Sequence, residues 1–587
     1  MVTYDDRPWT KNYDEGIPAS FEPYPEMRLF DFLKQSAEKY PKQAALVSDV
    51  MLPVLGHQKH SLTYKQLDKQ TDAMAAALID LGIEKGDKVA IVMPNVASFV
   101  IAFYGTLKAG GVVAANNPTY PARKLQHYID YCDAKVIITL NPFYKTLKEI
   151  QPGTKARHII VADIKDSLPR MAKFLYNRTK GKQNGYRLDE LGDGDFWMQD
   201  LLKEYDGQEP DVMVTPDDAA FIQYTGGITG TVKGALATHR ALVTSAYQIT
   251  AWTKVEFENG KLGDDNSLPT VIALPMFHVF GVIVLLSRGI ASGQTNILVA
   301  DPRDINGLVN IIDHYKPGVF GGVPKLYSAI SDHSSVKSGK IRFDSILIAI
   351  TGAAPMHPSI KEDFEAAGGR CLTEACGMSE IPCGTHCNPL LGEHRSGSIG
   401  VPFPDVDCAI VDLDDEVTEM SVGEVGEIVI NAPHMMSEYY KMPEESKSVL
   451  REREDGRLWV YTGDIGYMDE DGYFYLVGRK KNMILIGGFN VYPLQIEEVL
   501  RNHPAVADVR VAGIPHPKNV GEEAVKAWVI LEQGQKVKNA ELVSYCKEFL
   551  GGYEIPRRYE FVDELPQIAP HHEIIRTEEE HRERVSV

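Results

Sequence analysis

The run Tyr224-Thr225-Gly226-Gly227-Ile228-Thr229-Gly230-Thr231-Val232-Lys233-Gly234 holds four glycines in eleven residues. Such a stretch cannot build a core, but it lets backbone N–H groups close around an oxyanion. Thr225, Thr229 and Thr231 add hydroxyl donors, and Lys233 adds a mobile positive charge. Together they describe a phosphate cradle. It is not of the Walker type, because no lysine directly follows a glycine with Ser or Thr behind it. Apolar Phe221-Ile222 before it and Ala235-Leu236-Ala237 after it predict a loop pinned between ordered elements.

Four further constellations carry candidate chemistry. Thr351-Gly352-Ala353-Ala354-Pro355 follows the apolar run Ile346 to Ile350, and a small-residue turn at a strand's carboxyl end lets a flat ligand approach the backbone. In Cys376-Gly377-Met378-Ser379-Glu380, the Glu380 carboxylate could ligate a hard cation such as Mg²⁺. In Trp459-Val460-Tyr461-Thr462-Gly463-Asp464-Ile465-Gly466, an Asp on a turn after an apolar strand could accept two hydroxyls. His278 stands in Ala273-Leu274-Pro275-Met276-Phe277-His278-Val279-Phe280-Gly281, where a satisfied core histidine competes with a functional one.

The elements that must position these residues follow from periodicity. From Leu62 to about Leu390, short apolar strands alternate with helical stretches. Val89 to Met93 reads as a strand, Ala97 to Lys108 as a helix stopped at Gly110-Gly111, and Val112 to Ala114 and Lys135 to Thr139 as strands. This alternation predicts doubly wound parallel sheets with helices on both faces. From Ser398 to Tyr475, short β-rich runs between Gly and Asp turns predict a small barrel-like β subdomain. Gly478-Arg479-Lys480-Lys481-Asn482 reads as a linker, and a helix from Pro493 to His503 opens a compact α+β unit. Its strands are expected at Val509 to Ala512 and Ala527 to Ile530, and its second helix at Ala540 to Leu550.

Composition bounds the classes. A chain of 587 residues needs more than one domain. Its formal charge of −20 argues against general nucleic-acid binding, which needs a basic footprint. No apolar run is long enough to span a membrane and the start lacks a signal-peptide pattern, so a cytoplasmic location is expected. Seven cysteines suggest no disulfide framework, and Cys371, Cys376, Cys383 and Cys387 fit no zinc spacing, so buried reduced thiols are expected. The basic segment 169–182 is read as a solvated surface helix, with peripheral contact to an anionic membrane as the alternative.

The Gly/Thr loop, the Cys376 to Glu380 segment and the Tyr461-Thr462-Gly463-Asp464 run resemble motifs of the adenylate-forming (ANL) superfamily, along the length of the chain and most nearly those of long-chain fatty-acyl-CoA synthetases. The resemblance implies an α/β enzyme with an N-terminal adenylation domain of two doubly wound subdomains plus the β subdomain (1–477), a hinge (478–482) and a mobile C-terminal domain (483–587). It implies ATP, Mg²⁺ and coenzyme A as co-substrates and cofactor, with a small carboxylic acid as partner. Lys233, Thr229 and Glu380 would be catalytic, and Glu380 would hold the metal. Tyr224, Thr225, Gly226, Gly227, Gly230, Gly352, Ala353, Ala354, Ser379, Asp464 and Arg479 would bind nucleotide. His278, Val279, Phe280 and Gly281 would meet the acid, the apolar wall extending through Val282 to Leu286. Lys481 would be the hinge, and Gly487, Gly488 and Phe489 the loop that covers the site for the thiol step. A homodimer is compatible with the pattern.

Three positions depart from the family. Ile228 stands where a second Thr or Ser is usual, and Cys376 replaces an aromatic ring that would stack on adenine. The C-terminal lysine is absent, with His572 or Glu573 at its place and Arg576 nearby. The reading adopted is an AMP-forming acyl-CoA ligase with a modified site, acting on a fatty acid, with aromatic acids second. The alternatives are a non-catalytic relative serving as scaffold or sensor, and an enzyme that uses only the CoA-facing half of the site.

Overall fold

The computed structural model describes residues 2–575 apart from 53–55, 169–187, 189, 226–231, 255, 258–259, 262–267, 355, 371, 383, 487–488, 516–522, 551, 553 and 569–573. The candidate residues Gly226, Gly227, Ile228, Thr229, Gly230, Thr231, Pro355, Gly487 and Gly488 lie outside the described residues, as do Cys371, Cys383, the segment 169–182 and His571, His572, Glu573 and Arg576.

The first sheet is built on Ala219–Thr225, Val112–Asn116, Lys88–Val92, Ala134–Leu140 and His158–Ala162, all parallel. Each is an almost unbroken apolar run because helices cover both faces, and Ala97–Lys108 is itself buried along its whole length. Lys233–Thr238 and Glu438–Tyr439 add an antiparallel edge.

The second sheet has parallel strands Ala44–Leu52, Asn296–Leu298, Thr270–Ile272, Val319–Gly322, Ile348–Thr351 and Leu372–Cys376. One edge carries the antiparallel strand Gly56–Thr63. From the other edge, His386–Cys387, Ser398–Pro402, Phe474–Arg479, Leu458–Met468, Gly426–Asn431 and Asp407–Val411 continue the same hydrogen-bonded path in antiparallel register. The switch of strand direction along this path falls at His386–Cys387, shortly before the change of sequence texture at Ser398.

The C-terminal unit pairs Val506–Pro515 with Glu523–Leu531, and the latter with Arg558–Phe561. Helices Pro493–Arg501 and Asn539–Cys546 close its core of Ile496, Leu500, Val509, Val529 and Leu542. Burying each such side chain contributes about 1.5–3 kcal/mol. Both helices stop short of the expected His503 and Leu550, the first with Asn502 as its cap. No helix among the described residues is long and apolar enough to cross a membrane.

Candidate active site

The Gly/Thr loop joins two antiparallel strands, Ala219–Thr225 and Lys233–Thr238. Thr225 pairs with Lys233 and Tyr224 with Gly234, so both ends of the loop are fixed by the sheet. Tyr224 is committed to packing. Its ring lies 4.8 Å from that of Tyr128, and its hydroxyl donates to the Tyr128 carbonyl at 3.0 Å. What Tyr224 can offer a ligand is backbone.

Lys233 forms an ion pair with Glu445 and sits 5.3 Å above the Tyr439 ring. The Tyr439 hydroxyl donates to Glu380 Oε1 at 2.5 Å. Burial, then the Glu380 charge, drive the Tyr439 hydroxyl pKa far up, so it stays a donor. A short strap explains the geometry. Met436 N–H donates to the Glu380 carbonyl at 2.7 Å, and Ser437 and Tyr440 N–H groups donate to Leu236 and Gly234 carbonyls. The strap therefore ties the loop carrying Glu380 to the sheet edge carrying Lys233. Ser379, half-buried, precedes Glu380 on the same bend.

The other end of the site is backbone brought close to backbone. At Gly352, the first turn residue after Ile348–Thr351, a Cβ would lie 2.7 Å from the Ala375 carbonyl oxygen and 3.5 Å from the Phe280 ring. Only glycine fits there without displacing the chain. Ala353 follows at φ 67°, a left-handed conformation that L side chains rarely adopt, and Ala353 and Ala354 are exposed. Beside Ala375 lies Cys376, half-buried where a buried thiol was expected. Burial and then the nearby Asp464 charge push its thiol up to about 12. Cys387 is buried, and neither cysteine forms a disulfide.

Asp464 does not sit on a turn after its strand. The strand Leu458–Met468 runs straight through it, with a register shift at Ile465/Gly466 and Gly463 at φ 69°. The local twist is held by Gly463 N–H donating to Glu427 Oε1 at 2.9 Å and Asp464 N–H to Thr462 Oγ1 at 3.0 Å. A bulge re-aims a side chain without ending the strand. Arg479, directly opposite in the pairing, binds Asp464 Oδ1 through Nε at 2.7 Å. The fifteen-residue spacing of these two residues in sequence is thus one rung of a ladder.

His278 is no core residue. It is exposed, and desolvation by the surrounding protein lowers its pKa. Nδ1 accepts the Phe280 N–H at 3.2 Å, which leaves the neutral ring's Nε2–H as a donor. The loop is held from below. Asn95 donates to the Ile272 and Leu274 carbonyls at 3.0 and 2.8 Å and accepts the Met276 N–H at 2.8 Å. Gln223, on the strand that leads to the Gly/Thr loop, accepts the Val279 N–H at 3.0 Å. Phe280–Ser287 then continues as a π-helical turn, with Val282 to Leu286 buried in the core. Gly281 is obligatory, since a Cβ would lie 2.2 Å from the Pro275 oxygen.

Sequence reasoning missed Asn95, Gln223, Glu427, Tyr439 and Glu445. A polar residue directly after a buried strand, as in Pro94-Asn95, was a usable signal. Tyr439 and Glu445 reach the site through a strand crossing that no local pattern announces. At the linker, Phe474–Arg479 extends into the expected hinge, and Lys480–Asn482 forms a single 3₁₀ turn. Lys480 is ion-paired to Glu416 and, at 3.2 Å, to Glu427. Phe489 opens the strand Phe489–Val491 of the following hairpin.

The sequence profile of the family described as AMP-binding enzyme matches residues 33–440, and that of the AMP-binding enzyme C-terminal domain matches residues 495–570. A long-chain-fatty-acid–CoA ligase of Bacillus subtilis (strain 168) is 33% identical over 567 residues, covering 96% of this chain and 96% of its own. The ligase of that name from Escherichia coli O157:H7 is 32% identical, with 95% of each chain covered. Among solved structures, the anthranilate CoA ligase AuaEII in complex with anthranoyl-AMP is similar with a TM-score of 0.76 at 22% identity, covering 97% of this chain and 99% of its own. The protein therefore belongs to the AMP-binding enzymes of the adenylate-forming superfamily, with their large N-terminal and small C-terminal domains.

Proposed function

We propose that this protein joins a long-chain fatty acid to coenzyme A in two steps. The acid's carboxylate attacks the α-phosphate of ATP, forming acyl-adenylate and releasing pyrophosphate. The CoA thiol then attacks the acyl carbonyl, and AMP leaves. The observation that carries this reading is the convergence of Lys233, Tyr439 and Glu380 on one strap, at the mouth of a loop whose two ends are pinned by the sheet.

Such chemistry depends on positioning and charge stabilisation more than on a protein nucleophile. Lys233 exchanges Glu445 for phosphate oxygens, with Thr225, Thr229 and the loop N–H groups as further donors. Glu380 is a hard carboxylate with one oxygen held by Tyr439, which fits Mg²⁺ coordination through the other. Bound there, Mg²⁺ would neutralise charge on the phosphates. Asp464, braced by Arg479, accepts the ribose hydroxyls, and the Gly352 to Ala354 turn takes the flat base. Neutral His278 donates from Nε2 to the incoming carboxylate. We assign residues 1–477 to adenylation, 478–482 to the hinge and 483–587 to the mobile domain. The ion pairs of Arg479 with Asp464 and of Lys480 with Glu416 and Glu427 anchor the N-terminal side of the linker, which suits rotation about Lys481.

The test is incubation with ATP, Mg²⁺, CoA and a panel of fatty and aromatic acids, assaying AMP and thioester. AMP release matched by long-chain acyl-CoA is expected. Turnover only with aromatic acids would move the substrate class. One observation favours a second reading, a binding relative without turnover: Cys376 occupies the place of the adenine-stacking ring. No turnover alongside nucleotide or acyl binding would establish that reading instead.

A further inference from the structure

We propose that Asp49, His57 and His314 form a binding site for a divalent transition-metal ion of the Zn²⁺ class, apart from the adenylation site. One imidazole nitrogen of each histidine and a carboxylate oxygen of Asp49 lie within 4.8 Å of one another. The His57 and His314 rings stack at 3.9 Å with 14° between their planes. His57 Nδ1 lies 2.7 Å from Asp49 Oδ2, which also accepts the Tyr315 hydroxyl at 2.8 Å.

The decisive feature is Asp49. Its side chain is 1% exposed, yet Oδ1 has no hydrogen-bond partner. A buried carboxylate oxygen left without a donor is costly, and a bound cation removes that cost.

The fold explains why these residues meet. Asp49 lies opposite Lys59 and Met51 opposite His57 in the antiparallel pairing, so Asp49 and His57 are diagonal neighbours on one face of the sheet edge. His314 is in the last turn of helix Ile305–Tyr315, where the backbone dipole favours positive charge. Lys59 is exposed, and Asp313 is paired with Lys316 at 2.6 Å.

The donor set selects the ion. Two imidazoles and one carboxylate suit Zn²⁺, Co²⁺, Ni²⁺ or Cu²⁺ better than Mg²⁺ or Ca²⁺. Tetrahedral Zn–N bonds of about 2.0–2.1 Å place ligand atoms about 3.3 Å apart. Closing from 4.8 Å falls to His314, whose exposed side chain can rotate, and water takes the fourth position. The ion would clamp the edge strand Gly56–Thr63 to the helix.

The test uses the full, untagged chain stripped with EDTA and titrated with Co²⁺, then Zn²⁺. The expected result is visible d–d absorption saturating at about one Co²⁺ per chain, displaced by Zn²⁺, with a rise in Tm on Zn²⁺ addition. His57→Gln with His314→Gln should weaken binding by more than about 100-fold and abolish the Tm rise. His314→Gln alone, at an exposed helix end, reports the same loss in a protein that still folds. Absence of the d–d bands, or bands that persist in both variants, would overturn the proposal.

Discussion

The two halves of the candidate site are held by different physics. The His278 loop is fixed by neutral hydrogen bonds from buried Asn95 and Gln223 and by a glycine wedged against the Pro275 carbonyl. The Lys233 side is fixed by exchangeable charge: Lys233 with Glu445, and Glu380 with the buried Tyr439, the three charged side chains being only partly buried. A rigid half suits a pocket that must hold one acid in one pose. A charge-paired half suits a cradle whose internal partners are displaced when a polyanion arrives. The contrast predicts that mutations on the charged half cost rate with little stability, and those on the packed half the reverse.

Lys233→Ala should show the largest effect. Removing a donor aimed at developing charge typically lowers kcat by about 10²–10³. Its Tm should stay near that of the parent, because a half-exposed ion pair contributes about 1 kcal/mol or less. Stopped-time AMP release and a melting curve check both. A large fall in Tm with intact kcat would break the comparison.

Asn95→Ala is the mirror experiment. It leaves the Met276 N–H and the Leu274 carbonyl without that partner in a buried region, while the Ile272 carbonyl keeps the Val299 N–H at 3.1 Å. Each such orphan costs about 1–3 kcal/mol, so denaturant unfolding should reveal a loss of several kcal/mol. In the fraction still folded, the loss should fall on KM for the acid and spare that for ATP.

Glu445→Gln sharpens the contrast with a smaller effect. If Glu445 only parks Lys233 until phosphate arrives, removing it should lower KM for ATP by a few-fold, about 1 kcal/mol or less of released competition. An increase in KM would make Glu445 part of the cradle itself.

These contrasts also show what local pattern can carry. The parallel strands, the helix Ala97–Lys108 and the strand ends of the Gly/Thr loop were legible because burial on both faces and glycine punctuation are local signals. Asp464 was found by its motif, but its place inside a strand was not, since a bulge depends on the two flanking strands, one supplying Glu427 and the other Arg479. The apolar sequence neighbours of His278 would equally suit a core histidine, and its assignment to the substrate rests on the family resemblance. Its exposure follows from a loop turned outward by Asn95, which lies 183 residues earlier in the sequence. Contacts at such separations leave no periodic trace.

Glu374 offers the finest probe of where the two halves meet. It pairs with Thr351, next to the Gly352 turn, and stands two residues before Cys376. Burial outweighs the charge of Lys361 and pushes its carboxyl from 4.5 up to about 7. The folded state then holds a proton that the unfolded chain has released, so the contribution to stability is complete below about pH 4.5 and is lost as pH rises through about 7. Glu374→Gln fixes the uncharged form. Its Tm should match the parent near pH 5 and exceed it near pH 8.5 by a margin that grows across this window. A constant gap at both pH values would mean that Glu374 is ionised in the folded protein, and that the turn beside it is braced by charge, as the Lys233 half is, and not by packing.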